Sequence, residues 1–222
     1  MEKIKLSVST NPAPLDKMFE YIAKLNDSEA DFVHCDVMDG KFVENFTYSS
    51  SMVKQVKKES ALPLDVHLMV QSPSKWTLRK FLKAKPYSLT IHYEVYENKQ
   101  ELIDCLQYIY KKGSKAGLAI NPDTKISDVE AVLPYCQFII VMTVVPGKSG
   151  QTIIPDCLNK IKQIRRFYKK LGITDVEVEV DGGVNGENIQ KAIDLGYDVV
   201  VMGSYIYNQK NQLKAIKDIK SL

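Results

Sequence analysis

Short β-branched and apolar runs alternate with longer amphipathic stretches from one end of the chain to the other. The apolar runs predict strands at 4–8 (IKLSV), 31–36 (DFVHCD), 64–69 (LDVHLM) and 88–93 (SLTIHY), then at 115–120 (KAGLAI), 138–143 (FIIVMT), 176–181 (VEVEVD) and 198–203 (DVVVMG). Between them the spacing predicts helices at 15–25, 73–84, 100–112, 157–171 and 188–196. Within 100–112, Leu102, Ile103, Leu106, Ile109 and Tyr110 recur at three- and four-residue spacing, which puts them on one helix face. FIIVM is apolar throughout, as a strand covered on both faces requires. Strict strand–helix alternation implies a parallel sheet with right-handed crossovers. Eight repeats in 222 residues leave about 28 residues for each, which suits a compact (β/α)8 TIM barrel. A doubly wound open sheet is the alternative, and it rarely has eight units so regular. No linker, low-complexity segment or internal repeat divides the sequence, so residues 1–222 read as a single domain.

Composition narrows the function classes. At 45% hydrophobic the chain can bury a full core, and 30 basic against 27 acidic residues leave a net charge of only +3. That balance argues against a nucleic-acid or membrane-surface protein. The basic doublets Lys57-Lys58, Lys111-Lys112 and Lys169-Lys170 fall near the ends of helix-like segments, where cations complement the helix dipole. Cys35, Cys105, Cys136 and Cys157 have no CxxC spacing, so free thiols in a cytoplasmic protein are expected, with no membrane span or leader.

Candidate chemistry gathers at strand ends, where barrels of this kind place it. All three histidines, His34, His67 and His92, fall there. His34 and Asp36 are two apart on one strand and project to the same face, while Cys35 points the other way. With His67 on the third strand and Asp181 ending the seventh, two imidazoles and two carboxylates converge on a credible site for zinc or a similar divalent ion. Gly147-Lys148-Ser149 evokes a nucleotide-phosphate loop, but the glycine that loop needs five positions earlier is Met142. Gly147 and Gly150, Gly182 and Gly183, and Gly203-Ser204 instead follow the last three strands, where backbone N–H groups bind phosphate in many barrels. A metal site beside a phosphate site suggests proton transfer through an enediolate on a sugar phosphate.

The blocks HCDVMDGKFVEN, LDVHLM, MTVVPGKSGQ, EVDGGVN and GSYIY strongly resemble the ribulose-phosphate 3-epimerase family, in order and over nearly the whole chain. The resemblance implies a (β/α)8 barrel of the ribulose-phosphate-binding type with one divalent ion, zinc foremost, with iron(II), manganese or cobalt as alternatives. It implies His34, Asp36, His67 and Asp181 as metal ligands, Asp36 and Asp181 as the catalytic acid–base pair, and His67 also at the substrate. It further implies Ser7 as the serine contacting substrate and Met38, Met69 and Met142 as an apolar shelf. Gly147, Lys148, Ser149, Gly150, Gly182, Gly183, Gly203 and Ser204 match the phosphate loops, and His92 matches a position outside the metal shell. A dimer or hexamer is also implied. Departures lie in the loops: Val43-Glu44-Asn45 for Val-Pro-Asn, Ser49-Ser50 for Gly-Pro, and Lys148 where the family keeps an aromatic residue.

The expected activity is interconversion of ribulose 5-phosphate and xylulose 5-phosphate. The alternatives are 3-epimerisation of a ketohexose 6-phosphate such as allulose 6-phosphate, or a sugar-phosphate-binding barrel without epimerase activity. Decarboxylases of related barrels carry Asp-x-Lys-x-x-Asp; here Asp36 is followed by Val37-Met38-Asp39, without the lysine.

Overall fold

Alternating side-chain direction along each strand decides this structure. The computed structural model describes residues 3–222. Its strands are β1 (Lys5–Ser9), β2 (Phe32–Met38), β3 (Leu64–Met69), β4 (Ser88–His92), β5 (Lys115–Ile120), β6 (Phe138–Met142), β7 (Glu177–Asp181) and β8 (Val199–Met202). All pair in parallel, in chain order, and β8 closes on β1. Every expected strand therefore forms, and the closed barrel displaces the open-sheet alternative. Two boundaries move: β1 ends at Ser9 and β2 at Met38. His34 and His67 lie within their strands, and only His92 ends one.

The helices are α1 (Met18–Asn26), α2 (Ser50–Glu59), α3 (Lys75–Leu82), α4 (Lys99–Lys111), α5 (Ile126–Val129), α6 (Lys160–Leu171), α7 (Ile189–Leu195), α8 (Ser204–Tyr207) and α9 (Gln212–Lys220). The periodicity of the sequence singles out α1, α3, α4, α6 and α7 but leaves α2 and α9 unmarked. In α2 only Val53 and Val56 are buried, so its apolar signal is sparse. Its start is set by Ser49, whose hydroxyl accepts the Met52 N–H at 3.3 Å. Ser49, one of the departures from the family pattern, is thus a helix cap. The lysine doublets do fall at the ends of α2, α4 and α6.

Outward positions such as Val33, Cys35 and Val37 of β2, or Val178 and Val180 of β7, join the helices in one continuous apolar layer. The barrel interior is divided. One side is apolar, built from Phe32, Ala119, Phe138, Ile140, Met142 and Val199. The other carries Ser7, His34, Asp65, His67, Thr90 and Glu179, all fully buried. Below them, Glu177 accepts from Lys5, from Lys115 at 2.7 Å and from the Tyr87 hydroxyl at 2.6 Å, which closes the N-terminal end with paired charges. No helix among the described residues is long and apolar enough to cross a membrane.

Candidate active site

Neighbouring registers bring the predicted ionisable residues together. Asp36 of β2 pairs with His67 of β3, and Asp181 of β7 sits beside Met142 of β6. His34 Nε2 lies 3.2 Å from Asp36 Oδ1 and 3.8 Å from Asp181 Oδ2. His67 Nδ1 lies 3.4 Å from each of the same two oxygens. One atom from each of the four residues thus falls within 4.8 Å of the others. Tetrahedral ligation at about 2.0–2.2 Å spaces donor atoms roughly 3.3–3.6 Å apart, so this set fits a divalent ion. His67 Nδ1 is also buried without a hydrogen-bond partner, as a nitrogen with a free ligating lone pair would be.

The electrostatics agree with the geometry. Burial opposes charge on His34, yet the carboxylates of Asp36 and Asp65 outweigh it and hold the imidazole well above its usual pKa. Burial likewise opposes charge on His67, and the carboxylates of Asp181 and Asp36 beside it raise its pKa. Asp36 resists the same burial and is held far below the ordinary carboxylate range by His34 and His67. The pocket therefore concentrates negative charge that positive neighbours must balance.

A second layer anchors the first. Asp65 Oδ2 stands 2.6 Å from His34 Nδ1, and Asp65 also accepts from Ser7 at 2.9 Å and Ser88 at 2.5 Å. That anchor fixes His34 with Nε2 towards the mouth. Glu179, 3.8 Å from His34 Nδ1, is pushed well above its usual pKa by burial and then by the Asp65 charge. A protonated Glu179 is the state this packing favours. His92 Nε2 meets His67 Nε2 at 2.8 Å, and His92 Nδ1 meets Glu94 Oε2 at 3.0 Å. Burial, foremost, pushes His92 down to about 4, so its ring is neutral.

Above the cluster opens a cavity of about 440 Å³, lined by Asp36, Asp181, Met38, Met69, Met142 and the glycine loops. Gly147, Lys148, Ser149, Gly150, Gly182, Gly183, Gly203 and Ser204 all line it. Gly183 has φ +71°, and a Cβ there would come within 2.8 Å of Ile153 Cα, so only glycine fits. The β2 and β6 loops dock on each other: Asn45 Nδ2 donates to Gly147 O at 2.6 Å, and Lys148 Nζ lies 3.4 Å from Glu44 at the exposed rim.

Two expected residues stand elsewhere. Ser7 is fully buried, donates to Asp65 and does not line the cavity. Ser9, two residues on and on the same face, lines it and donates to Asp36 Oδ2 at 2.9 Å. The serine at the mouth is therefore Ser9, because β1 runs one residue further than its apolar pattern shows. His67 reaches Asp36 and Asp181 from beneath and is not part of the cavity wall, so a direct substrate contact is not what its position offers. Sequence reasoning passes over Ser9, although its period-two spacing from Ser7 is a usable signal. It also passes over Glu94, which lies beyond the end of β4.

Comparison with known proteins follows the same lines. A profile of the ribulose-phosphate 3 epimerase family matches residues 5–207. The ribulose-phosphate 3-epimerase of Bacillus subtilis (strain 168) is 37% identical over 217 residues, 98% of this chain and 98% of the relative. The protein of that name from Synechocystis is 34% identical over 220 residues, 99% and 94% of the two chains. Among solved structures, 3-hexulose-6-phosphate synthase from Salmonella typhimurium superposes with a TM-score of 0.75 at 16% identity, covering 98% and 97% of the two chains, a likeness of fold alone.

The second layer makes a stability prediction. Asp65→Asn leaves the buried His34 with Asp36 as its remaining counter-charge and should lower unfolding free energy by about 3 kcal/mol. Ser7→Ala removes one hydrogen bond and should cost only about 1 kcal/mol. Urea denaturation of both variants measures the difference.

Proposed function

The chain belongs to the ribulose-phosphate 3-epimerase family, and from that premise we propose that its cavity inverts C3 of a pentulose 5-phosphate by two-carboxylate proton transfer. The activity is that of an isomerase acting on ribulose 5-phosphate and xylulose 5-phosphate. The observation that carries the mechanism is the placement of Asp36 and Asp181. They come from β2 and β7, across two intervening strands, and meet the same pair of imidazoles at the cavity floor.

His34 Nε2, His67 Nδ1, Asp36 Oδ1 and Asp181 Oδ2 would hold one divalent ion. Zinc suits the tetrahedral spacing, and iron(II), manganese and cobalt accept the same nitrogen and oxygen donors. When bound, such an ion supplies positive charge beside the substrate carbonyl and so favours the enediolate. Asp36 takes the C3 proton from one face, steadied by the Ser9 hydroxyl on its Oδ2. Asp181 delivers a proton to the other face, and the roles exchange in the reverse direction. Met38, Met69 and Met142 wall the reacting carbons with apolar surface and keep water from the carbanion. Backbone N–H groups at Gly182-Gly183 and Gly203-Ser204 meet the phosphate dianion.

The reading takes the protein as a single-domain cytoplasmic enzyme that forms a homo-oligomer, a dimer or hexamer, on the strength of the family resemblance. Four buried, unpaired cysteines suit a reducing compartment. A ketohexose 6-phosphate is the second reading. It is favoured by the rim, where Lys148 and Glu44 form an exposed ion pair in place of an aromatic closure.

At matched metal content, Asp36→Asn and Asp181→Asn should each lower turnover by about 10²–10⁴-fold with the barrel intact. Near-normal activity in either variant contradicts the two-carboxylate mechanism. Turnover on ribulose 5-phosphate should exceed that on allulose 6-phosphate, and the reverse order would favour the second reading. Lys148→Phe should raise the KM for ribulose 5-phosphate a few-fold at low ionic strength, fading as salt is added. An unchanged KM would show that Glu44 keeps the ammonium from acting on the phosphate.

A further inference from the structure

His67 offers the four-residue cluster only its Nδ1, which faces Asp36 and Asp181 at 3.4 Å each and has no hydrogen-bond partner of its own. A nitrogen that ligates a cation carries no proton, so the proton of the ring belongs on Nε2. That nitrogen lies 2.8 Å from His92 Nε2. Of two imidazole nitrogens so close, one donates and the other accepts. His92 must therefore keep Nε2 bare and carry its proton on Nδ1, 3.0 Å from Glu94 Oε2. An ionised carboxylate only accepts, and so it selects that tautomer.

Glu94 is well placed to hold this state. It sits in the short 3-10 turn Tyr93–Val95 that follows β4. Its other oxygen, Oε1, accepts the Asn121 N–H at 2.7 Å and the Thr124 hydroxyl, both from the loop after β5. Lys160 clamps the same loop from the far side, donating to the carbonyls of Asn121 and Thr124 at 2.7 Å each. Three donors thus converge on one carboxylate. Burial works against its ionisation, but His92 first and then the loop donors keep Glu94 below its usual pKa. The His67 and His92 rings are also nearly coplanar and edge to edge, with centroids 4.9 Å apart and planes 23° from parallel, as a hydrogen bond between their Nε2 atoms requires.

We propose that Glu94 is a positioning residue that acts through His92 to fix the proton of His67 on Nε2 and so present a bare Nδ1 to a divalent cation. His34 is oriented by direct contact with Asp65, whereas His67 is oriented across two links, His92 and Glu94. The consequence for metal affinity rests on the function proposed above. The tautomer assignment rests on hydrogen bonds alone, and the two can fail separately.

The chain has only three histidines, so long-range 1H–15N spectra resolve every imidazole nitrogen. In metal-free protein and in zinc-loaded protein, His92 should be protonated at Nδ1 with Nε2 bare. His92 protonated at Nε2 in the wild-type spectrum overturns the proposal, whether or not zinc binds. Glu94→Gln keeps the shape but leaves a single acceptor oxygen for three donors. It should shift His92 towards the Nε2–H tautomer and weaken zinc binding, measured by chelator competition, by about 10–100-fold. Thr124→Val removes one of the three donors but leaves the Glu94 carboxylate facing His92, and should move both readouts far less than Glu94→Gln does. Equal loss in Thr124→Val and Glu94→Gln would assign the effect to the loop and overturn the relay. Unchanged tautomer and zinc affinity in Glu94→Gln would overturn it as well.

Discussion

His34, Asp36, His67 and Asp181 each place an ionisable atom within 4.8 Å of the others, in a volume nearly closed to water. Charges so close and so dry are tolerated only when they compensate one another. Much of the polar half of the barrel can be understood as meeting that demand. Asp65 balances His34 from below, Ser7 and Ser88 occupy the oxygens of Asp65, and Ser9 occupies the outer oxygen of Asp36. His92 and Glu94 do the corresponding work for His67. The apolar half, from Phe138 to Val199, supplies rigid packing against which these side chains have little freedom to move.

Strand geometry makes this arrangement economical. A residue two positions earlier on the same strand faces the same interior, one layer deeper. Asp36 thus lies above His34, His67 above Asp65, and Asp181 above Glu179, so each strand supplies both a residue of the site and a support beneath it or beside it. The loops then add what the strands cannot. The docking of Asn45 on Gly147 joins the β2 and β6 loops over the cavity. Gly182 and Gly183, both with positive φ, turn the chain along the cavity wall directly after Asp181.

The same geometry explains what is legible in the sequence. Eight apolar runs mark eight strands, and period-two spacing alone puts His34 and Asp36 on one face. His67 and Asp181 follow from their places on other strands. Choosing Ser9 over Ser7 is harder, because both face inward and only depth separates them. Glu94 is hidden for a different reason: it lies past its strand, and its role exists only through His92 and a loop some thirty residues on. Helix α2 escapes notice because a helix with two buried residues carries little periodic signal. What stays obscure, then, is set by tertiary contact, not by local pattern.

The central claim is that Asp36 and Asp181 serve opposite faces of one carbon. Solvent-deuterium exchange at C3, followed by NMR in metal-loaded Asp36→Asn and Asp181→Asn, tests it most directly. The account predicts that each variant exchanges deuterium into only one of the two epimers, a different one in each, without net interconversion. Exchange of the same epimer by both variants, or interconversion at the wild-type rate by either, would contradict it.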